Sequence, residues 1–391
     1  MNIPNPYTPG AGFVPAYLAG RDEAIMAAQK KLLSLEQRFP QQSVIYYGLR
    51  GVGKTVLLNA IEEIASDRNI LYDHIEVKEK GGFLAQITNT SLKFLRSIST
   101  KEKARDFIEK AKMAIQALSL TFSPEEGTFS LSAVTFSGIA KSEDILADNL
   151  TEVFLALGTA ANKSEDTICI FIDEIQYLKR YELEALVNAI HRVNQKRLPI
   201  MIFGAGLPKI FKELGEAKSY SERLFVFEQV DALTPDEAQM AICEPAKRMG
   251  KSYRQDAVDR IVHVTEGYPY FIQEFCSMIW DQAEDKEEIC LKDVLDAEQD
   301  FFRRLDSGFF KVRYERCTAK EREFMFAMIN CNELPCNIAN VAKFLGCKVS
   351  SVSPVRAQLI SKGLIYATGH AEIDFTVPQF DAYLKRTLNE K

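Results

Sequence analysis

The stretch from Ser43 to Leu58 (SVIYYGLRGVGKTVLL) constrains the fold of this 391-residue chain more than any other. It begins as an apolar segment of strand length, passes through a glycine-rich turn and continues into a helical pattern. Within it, Gly48, Gly53, Lys54 and Thr55 match G-x-x-x-x-G-K-[ST], the pattern of a phosphate-binding P-loop. Glycines let backbone N–H groups turn toward a phosphate, and the helix N-terminus adds partial positive charge. The stretch therefore predicts nucleotide binding.

Side chains and backbone groups of this loop have different expected roles. We expect Lys54 to reach the β- and γ-phosphates and the Thr55 hydroxyl to ligate Mg²⁺. The residues of the loop expected to contact the nucleotide are Gly48, Arg50, Gly51, Val52, Gly53, Lys54, Thr55 and Val56.

Length and composition set limits on the rest of the chain. A chain of 391 residues is too long for one compact core and predicts two or three domains. Its 47% hydrophobic and 26% charged residues are typical of a soluble globular protein, and no apolar run reaches membrane-spanning length. The first residues lack the pattern of a secretory signal. Eight scattered cysteines without a C-x-x-C pair favour reduced thiols, so we expect a cytoplasmic protein with no membrane partner.

Apolar runs and amphipathic segments alternate after the P-loop. Thr167–Ile172 and Leu198–Phe203 are continuous apolar runs, typical of parallel strands buried on both faces, and an amphipathic helix is predicted between them at Tyr181–Gln195. A last strand is predicted at Leu224–Val230. This alternation predicts the α/β class, a P-loop NTPase with a doubly wound parallel sheet.

The remaining segments differ in pattern from this core. We expect an N-terminal arm over residues 1–20, the P-loop core over 21–230, a helical lid over 231–305 and a winged-helix domain over 306–391. Residues 119–140 are rich in Thr, Phe, Val and Ser and are interpreted as a hairpin inserted into the core.

Local signals support the last two domains. Thr234 followed by Pro235 predicts the capped beginning of a lid helix. The C-terminal region reads as three helices followed by two short alternating strands, which matches the winged variant of helix-turn-helix. We expect Ser353 to cap the third of these helices, with Pro354 at its first position.

Two acidic residues follow the first buried strand. Asp173 is suited to hold Mg²⁺ and Glu174 to polarise an attacking water. No N-K-x-D-like motif is present, which argues against GTP, and no second set of helicase motifs is present. A lid and winged helix in this order do not suit a small-molecule kinase. We therefore predict an ATPase with catalytic residues Lys54, Asp173 and Glu174, and with Thr55 and Asp173 at the metal.

The order of several motifs resembles a known class of proteins. LAGRDEAI before GLRGVGKT, followed by IFIDEIQYL, SERLF and EGYPYF, is similar to the AAA+/STAND ATPases, closest to the origin-recognition-like (AAA_16) branch. The similarity extends from Leu18 to the C-terminus. It implies an ATP-binding protein that uses Mg²⁺ and forms a homo-oligomer when ATP is bound.

The resemblance implies roles for further residues. Leu18, Ala19 and Arg21 are expected near the adenine. Arg223 is expected to be catalytic, as an arginine finger or sensor, because its planar charged group can stabilise a phosphoryl transition state from a neighbouring subunit. The turn expected to bring the lid to the nucleotide is Gly267, Tyr268 and Pro269. A surface salt bridge and an ordinary helix-breaking turn are the alternative interpretations of Arg223 and this turn.

One position departs from the family pattern. Members commonly carry a polar sensor residue at the end of the fourth strand, whereas this chain has Phe203–Gly206 (FGAG) there. We therefore expect slow basal hydrolysis, or the use of Gln176 just after the acidic pair.

The charge distribution favours a polyanionic partner. From Phe301 onward there are 14 Lys and Arg against 9 Asp and Glu, a net charge of +5, although the whole chain has −6. One hypothesis is a nucleotide-dependent switch that binds double-stranded DNA. The residues expected to contact the DNA are Ser351, Ser353, Arg356 and Lys362. The alternative is a signalling or scaffold ATPase that oligomerises on ATP binding and engages a protein partner.

Overall fold

The computed structural model describes residues 4–10, 12–98, 105–121, 142–217, 221–331 and 333–389, and the chain divides into two compact units. The sheet unit contains residues 21–47 and 54–229. The helical unit contains residues 1–20, 48–53 and 230–391. The glycine-rich part of the P-loop thus groups with the helical unit, while its lysine and threonine begin a helix of the sheet unit.

Five parallel strands form the centre of the sheet unit, in the order β2–β3–β4–β1–β5. They are β1 (Ser43–Tyr47), β2 (Leu71–Glu76), β3 (Ile168–Asp173), β4 (Ile200–Gly206) and β5 (Phe225–Gln229). Every residue of β3 and of β4 is buried. Their apolar runs are therefore covered on both faces, as parallel strands require. The α/β fold with a parallel sheet is confirmed.

Helices surround this sheet and supply the rest of its core. They are α1 (Asp22–Glu36), α2 (Lys54–Asp67), α3 (Phe83–Ile98), α4 (Arg105–Thr121), α5 (Ser142–Lys163), α6 (Arg180–Gln195) and α7 (Ile210–Ala217). The prediction that an inserted hairpin begins at residue 119 is wrong, because α4 continues through Thr121, beyond the buried Leu118. The rest of the predicted hairpin, up to residue 140, lies outside the described residues.

The region predicted as a lid, residues 231–305, contains the helices α8 (Pro235–Arg248), α9 (Gln255–Thr265), α10 (Pro269–Gln282) and α11 (Leu291–Arg304). A π-helical turn at Leu305–Phe310 and α12 (Lys311–Glu315) continue from α11 into the C-terminal region. Thr234 caps α8 as predicted, since its hydroxyl accepts the Glu237 N–H at 3.4 Å. A parallel pair of two-residue strands, β6 (Ser252–Tyr253) and β7 (Glu288–Ile289), is also present. Strands this short leave no periodic signal in a sequence.

The N-terminal arm packs onto these helices. The Tyr7 side chain is buried, its hydroxyl donates to the Ile242 carbonyl at 2.5 Å, and its ring meets Trp280 edge-on at 5.9 Å. The Asn5 amide donates to the Ser277 carbonyl at 3.0 Å. These contacts make the arm part of the core of the helical unit, because a buried tyrosine removes a large apolar area from water.

The C-terminal region contains the three helices and the hairpin that the sequence predicts. Its elements are α13 (Ala319–Ile329), β8 (Cys336–Asn337), α14 (Ile338–Phe344), α15 (Val349–Ser361), β9 (Ile365–Gly369), β10 (Glu372–Phe375) and α16 (Phe380–Asn389). The strands form an antiparallel sheet in the order β8–β10–β9.

The predicted beginning of α15 is wrong. The helix begins at Val349, so Ser353 lies inside it, and its hydroxyl donates to the Val349 carbonyl at 2.9 Å instead of capping the helix. The earlier beginning places Val352 on the buried side of the helix. Burial of this valine favours the additional turn.

In the described part of the chain, every helix is too short or too polar to cross a membrane.

Gly267 lies where the backbone approaches a neighbouring segment closely. Its φ is +72°, and a Cβ there would be 2.3 Å from the Leu233 carbonyl oxygen. Gly250 has a similar φ of +80°, but its Cβ would meet nothing within 4 Å. Alanine substitutions at these two glycines therefore separate the cost of backbone strain from the cost of steric overlap.

We expect Gly250→Ala to lower the free energy of unfolding by about 1–2 kcal/mol, the cost of a left-handed alanine. Gly267→Ala should lower it by about 1–3 kcal/mol more, because the chain must also move away from Leu233. Urea denaturation of the full chain measures both values. Equal losses would show that the close approach does not matter.

Candidate nucleotide and catalytic site

Two predicted magnesium ligands meet at the carboxyl edge of the sheet. Asp173 is the last residue of β3 and its side chain is buried. Thr55 lies in the first turn of α2, directly after the P-loop glycines in the chain. The Thr55 hydroxyl donates to Asp173 Oδ2 at 2.6 Å. The structure therefore brings together two residues that are 118 positions apart in the sequence.

This pair of oxygen ligands fits Mg²⁺. The ion prefers oxygen donors and is usually held by one or two protein side chains, with phosphates and waters completing its octahedral shell. Among the described residues, no three His, Cys, Asp or Glu side chains converge as a metal cage. Thr55 and Asp173 are thus suited to a metal that arrives with the nucleotide.

Glu174 follows in a constrained turn. It adopts left-handed angles, φ +53° and ψ +37°, and its N–H donates to Asp173 Oδ1 at 2.7 Å. Both carboxylate oxygens of Asp173 are therefore hydrogen-bonded. A left-handed conformation is costly for a residue with a Cβ, so the local structure must hold this turn in place.

Gln176, which the sequence offers as an alternative participant in hydrolysis, is a buried residue of the same turn. Its side-chain amide donates to Glu174 Oε2, and its carbonyl oxygen accepts the Leu207 N–H at 2.9 Å. Leu207 directly follows β4, so Gln176 joins Glu174 to the end of that strand. The only sequence signal for this role is its place two residues after Glu174.

His74 is another neighbour that the sequence does not reveal. It lies on β2 and its Nδ1 is hydrogen-bonded to Glu62 of α2. This bond raises the pKa of His74, with Asp173 and Glu76 contributing through their charges. The partners are on different elements and share no motif, so only the fold brings them together.

The glycines of the P-loop are required by the backbone. Gly51 and Gly53 have φ of +83° and +90°, which favour glycine. A Cβ on Gly48 would lie 2.0 Å from the Val230 carbonyl oxygen. The motif therefore has a structural reason at each glycine, in addition to the expected approach of phosphates.

Two backbone groups of this loop are bonded within the helical unit. The Arg50 N–H donates to the Thr376 carbonyl at 3.2 Å, and the Gly51 carbonyl accepts the Tyr270 N–H at 3.3 Å. Tyr270 belongs to α10, and Thr376 directly follows β10. The glycine-rich turn is thus anchored to both the lid region and the C-terminal region.

The predicted lid turn begins α10. Tyr268 is the residue that precedes the helix and Pro269 is its first residue. The Gly267 carbonyl accepts the Leu233 N–H at 2.8 Å. Burial raises the pKa of Tyr268 to about 12, with nearby acidic groups including Glu266 contributing. A helix-breaking turn is therefore confirmed locally, and its contact with nucleotide stays a prediction.

The residues expected near the adenine are divided between the units. Leu18 and Ala19 are in the helical unit, where Ala19 is buried in the core with Leu233. Arg21 is a buried residue of the sheet unit that immediately precedes α1. Ala19 thus has a packing role, and the contact of all three with adenine stays a prediction.

Arg223 lies at the amino edge of the sheet. It ends a short 3₁₀ turn before β5, its side chain is exposed, and its carbonyl accepts from Gln42 at 2.7 Å. Asp173 ends a parallel strand of the same sheet and is therefore at the opposite edge. The five residues of β5 span about 16 Å, so Arg223 is far from the acidic pair of its own chain.

Among the predicted DNA contacts, Lys362 is hydrogen-bonded within its own domain, and its contact with DNA stays a prediction. Lys362 donates to the carboxylate of the buried Glu321 at 2.7 Å and to the Arg316 carbonyl at 3.1 Å. Burial by itself raises the pKa of Glu321, but the hydrogen bonds from Lys362 and Thr318 together with the charge of Lys362 outweigh it, and the pKa is lowered. Lys362 is needed inside the domain because an unpaired buried carboxylate is costly. Ser351 and Ser353 are exposed and Arg356 is partly exposed.

The parallel sheet, the P-loop and the acidic pair at the end of β3 define the P-loop nucleoside triphosphatase fold. Residues 17–203 match the family model described as AAA ATPase domain, so the predicted AAA_16 resemblance is confirmed for this part of the chain. Residues 307–384 match a second model, described as domain of unknown function DUF8462. No curated protein sequence gives a significant match.

Several solved structures are similar to this chain at low sequence identity. The Walker-type ATPase PABY2304 of Pyrococcus abyssi is 14% identical over 94% of this chain and 96% of its own, with a TM-score of 0.56. Aeropyrum pernix Orc1 in complex with DNA is 14% identical over 97% and 94%, with a TM-score of 0.46. The Thermotoga maritima RuvB Holliday junction branch migration motor is 16% identical over 94% and 95%, with a TM-score of 0.43. The likeness to PABY2304 shows the common fold.

Proposed function

We propose that this protein is a Mg²⁺-dependent ATPase that works as a nucleotide-dependent switch. The observation that carries the proposal is the hydrogen bond of 2.6 Å between Thr55 and Asp173. It holds the hydroxyl of the P-loop helix and the carboxylate of β3 together, as a nucleotide-bound magnesium requires.

Each residue of the site has a specific task in this reaction. Lys54 binds the β- and γ-phosphates, and Thr55 and Asp173 hold the metal. Mg²⁺, when bound, supplies positive charge that stabilises the phosphates in the transition state. Glu174 orients the attacking water and accepts its proton. Basal turnover is slow because Phe203–Gly206 contribute no polar side chain to this edge of the sheet.

Loss of the P-loop lysine provides the direct test of nucleotide binding. Lys54→Ala should weaken ATP binding about 10- to 100-fold, since a hydrogen bond to a charged group contributes about 1.5–3 kcal/mol. Glu174→Gln should keep ATP binding and lose hydrolysis. Titration calorimetry and phosphate release measure the two effects. Lys212→Ala, at a side chain that is 81% exposed in α7, is the control.

Equal ATP affinity of Lys54→Ala and the unchanged protein would contradict the ATP-binding assignment. Undiminished hydrolysis by Glu174→Gln would contradict the role of Glu174 alone.

The anchoring of the glycine-rich turn supports a switch. The loop amides are expected to bind phosphates, and Arg50 and Gly51 of this loop are bonded to the C-terminal region and to α10. Beyond that bond, the Tyr270 ring stacks on Phe309 at 5.0 Å, and Arg313 lies over Phe309 at 4.0 Å. Nucleotide exchange is therefore expected to alter the packing of the C-terminal region.

The position of Arg223 supports action in an oligomer. An exposed arginine at the amino edge of the sheet is too far from its own acidic pair to stabilise charge on the γ-phosphate. It is suited to complete the site of a neighbouring copy. We therefore propose that ATP binding assembles copies of this chain with Arg223 acting between them.

Mixing two inactive variants tests this arrangement. Arg223→Ala should bind ATP without efficient hydrolysis, and Lys54→Ala should bind it poorly. Their mixture should regain activity, because Arg223 of a Lys54→Ala chain completes the intact site of an Arg223→Ala neighbour. A mixture of Lys54→Ala with Glu174→Gln is the control and should stay inactive. Phosphate release measures the rates, and no recovery in the first mixture contradicts action between copies.

We also propose that the C-terminal region is a winged helix that binds double-stranded DNA through α15. Ser351 and Ser353 present exposed side chains on this helix. The segment from Lys343 to Lys362 contains no acidic residue, and both Lys343 and Lys348 are exposed. Exposed hydroxyl groups on α15, with exposed lysines in the segment that precedes it, are suited to base-edge and phosphate contacts.

Charge reversal in α15 tests this proposal. Arg356→Glu should lower duplex affinity about tenfold or more and reduce its dependence on salt, because a phosphate contact is replaced by repulsion. Fluorescence anisotropy with a labelled duplex at several salt concentrations measures both. Arg303→Glu, at a side chain that is 69% exposed in α11, is the control and should retain affinity. Negligible affinity that does not respond to salt would contradict DNA binding.

One observation favours a protein partner as the second candidate. Phe344, at the end of α14, is 57% exposed and borders an open groove of about 740 Å³ that is also lined by Tyr314 and Phe326. The apolar residues of EREFMFAMI and FFRRLDSGFF are mostly explained by packing, since Phe301, Phe310 and Phe324 are buried. Negligible duplex affinity in the preceding experiment favours this second candidate.

A further inference from the structure

Gln176 is held at both ends of its amide. The side chain is only 2% exposed. Its nitrogen donates to Glu174 Oε2 and its oxygen accepts the Leu207 N–H at 2.9 Å. A buried amide is stable only when its polar atoms are paired, and pairing at both ends fixes one rotamer. Gln176 is therefore a rigid connection between the Glu174 carboxylate and the residue after β4.

The end of β4 leaves space for this connection. A Cβ on Gly206 would lie 2.8 Å from the Gln176 carbonyl oxygen and 2.8 Å from Ile175 Cγ2. Any larger residue would displace the turn that carries Gln176. The glycine at the last position of β4 thus has a physical reason: it makes room for a side chain that comes from the turn after β3.

The turn itself brings Gln176 back to Glu174. Glu174 has a left-handed conformation, and Ile175–Tyr177 form a 3₁₀ turn. The Glu174 N–H is bonded to Asp173, which holds the beginning of this turn at the strand. The two side chains therefore meet although they are only two positions apart.

We propose that Gln176 is a positioning residue for Glu174, at the edge of the sheet where β4 itself contributes no polar side chain. This inference rests on the proposed function, in which Glu174 orients the attacking water. By holding Glu174 Oε2, the amide restricts the carboxylate to one orientation. Small errors in the position of a catalytic group are costly, up to about 100-fold in rate for a shift of about 1 Å. We expect Gln176 to affect kcat and not ATP affinity, because its amide contacts Glu174 and Leu207 and not the P-loop.

Gln176→Glu specifically removes the side-chain N–H group that donates to Glu174. Glutamate has the same length and can still accept the Leu207 N–H, but it presents an oxygen to Glu174. We expect kcat for Mg-ATP to fall about 10- to 100-fold with KM unchanged within about twofold. In a Glu174→Gln background the same substitution should cause no further loss of kcat. Gln195→Glu, on the exposed side of α6, is the control and should keep kcat.

Gly206→Ala is a second variant, and it keeps the side chains of Glu174 and Gln176 chemically unchanged. The added methyl group should displace the Gln176 oxygen and lower kcat in the same way, again with KM retained. Melting temperature and ATP affinity of each variant show whether the fold and the binding site are intact.

The outcomes separate this inference from the proposed function. Unchanged kcat of Gln176→Glu, with Glu174→Gln inactive, overturns the positioning role and leaves Glu174 in place. Undiminished kcat of Glu174→Gln overturns both. If Gln176→Glu and Gly206→Ala instead weaken ATP binding equally with and without Glu174→Gln, Gln176 has only a structural role and the inference is wrong.

Discussion

The complete burial of β3 is the constraint on which the catalytic arrangement depends. A strand that is covered on both faces has no freedom to shift its register, because a slip of one residue would move every side chain to the other face. Asp173 is therefore fixed at the carboxyl edge, where the Thr55 hydroxyl reaches it at 2.6 Å. The turn that contains Glu174 and Gln176 is positioned by the same strand.

The P-loop has both local backbone requirements and contacts with distant parts of the chain. Its glycines are needed for their backbone angles and for the close approach of Gly48 to Val230. They also group with the lid and C-terminal regions, through the bonds of Arg50 and Gly51. The lysine and threonine of the same motif begin α2 in the sheet unit. One continuous motif thus serves both nucleotide chemistry and anchoring of the regions that follow the sheet.

Sequence patterns predicted the large elements better than their ends. The two apolar runs became β3 and β4, and the signals around Thr234 placed the beginning of α8 correctly. The beginning of α15 was wrong because burial of Val352 favours a longer helix than the Ser-Pro signal suggests. Lys362 looked like a surface cation, but it neutralises a buried glutamate that only the fold brings near it. Local sequence patterns do not predict a hydrogen bond between residues as far apart in the chain as Lys362 and Glu321.

The sequence by itself determined the nucleotide chemistry of this protein, because the P-loop and the acidic pair need specific residues at specific spacings. It also determined the parallel sheet, through apolar runs too long for one-sided burial. Only the tertiary structure decided which groups support Glu174. Gln176 acquires its partners through a left-handed turn and through Gly206 of another strand, 30 positions later in the chain. No local spacing in the sequence predicts that Gln176 lies beside Gly206, since their proximity depends on the register of β3 against β4.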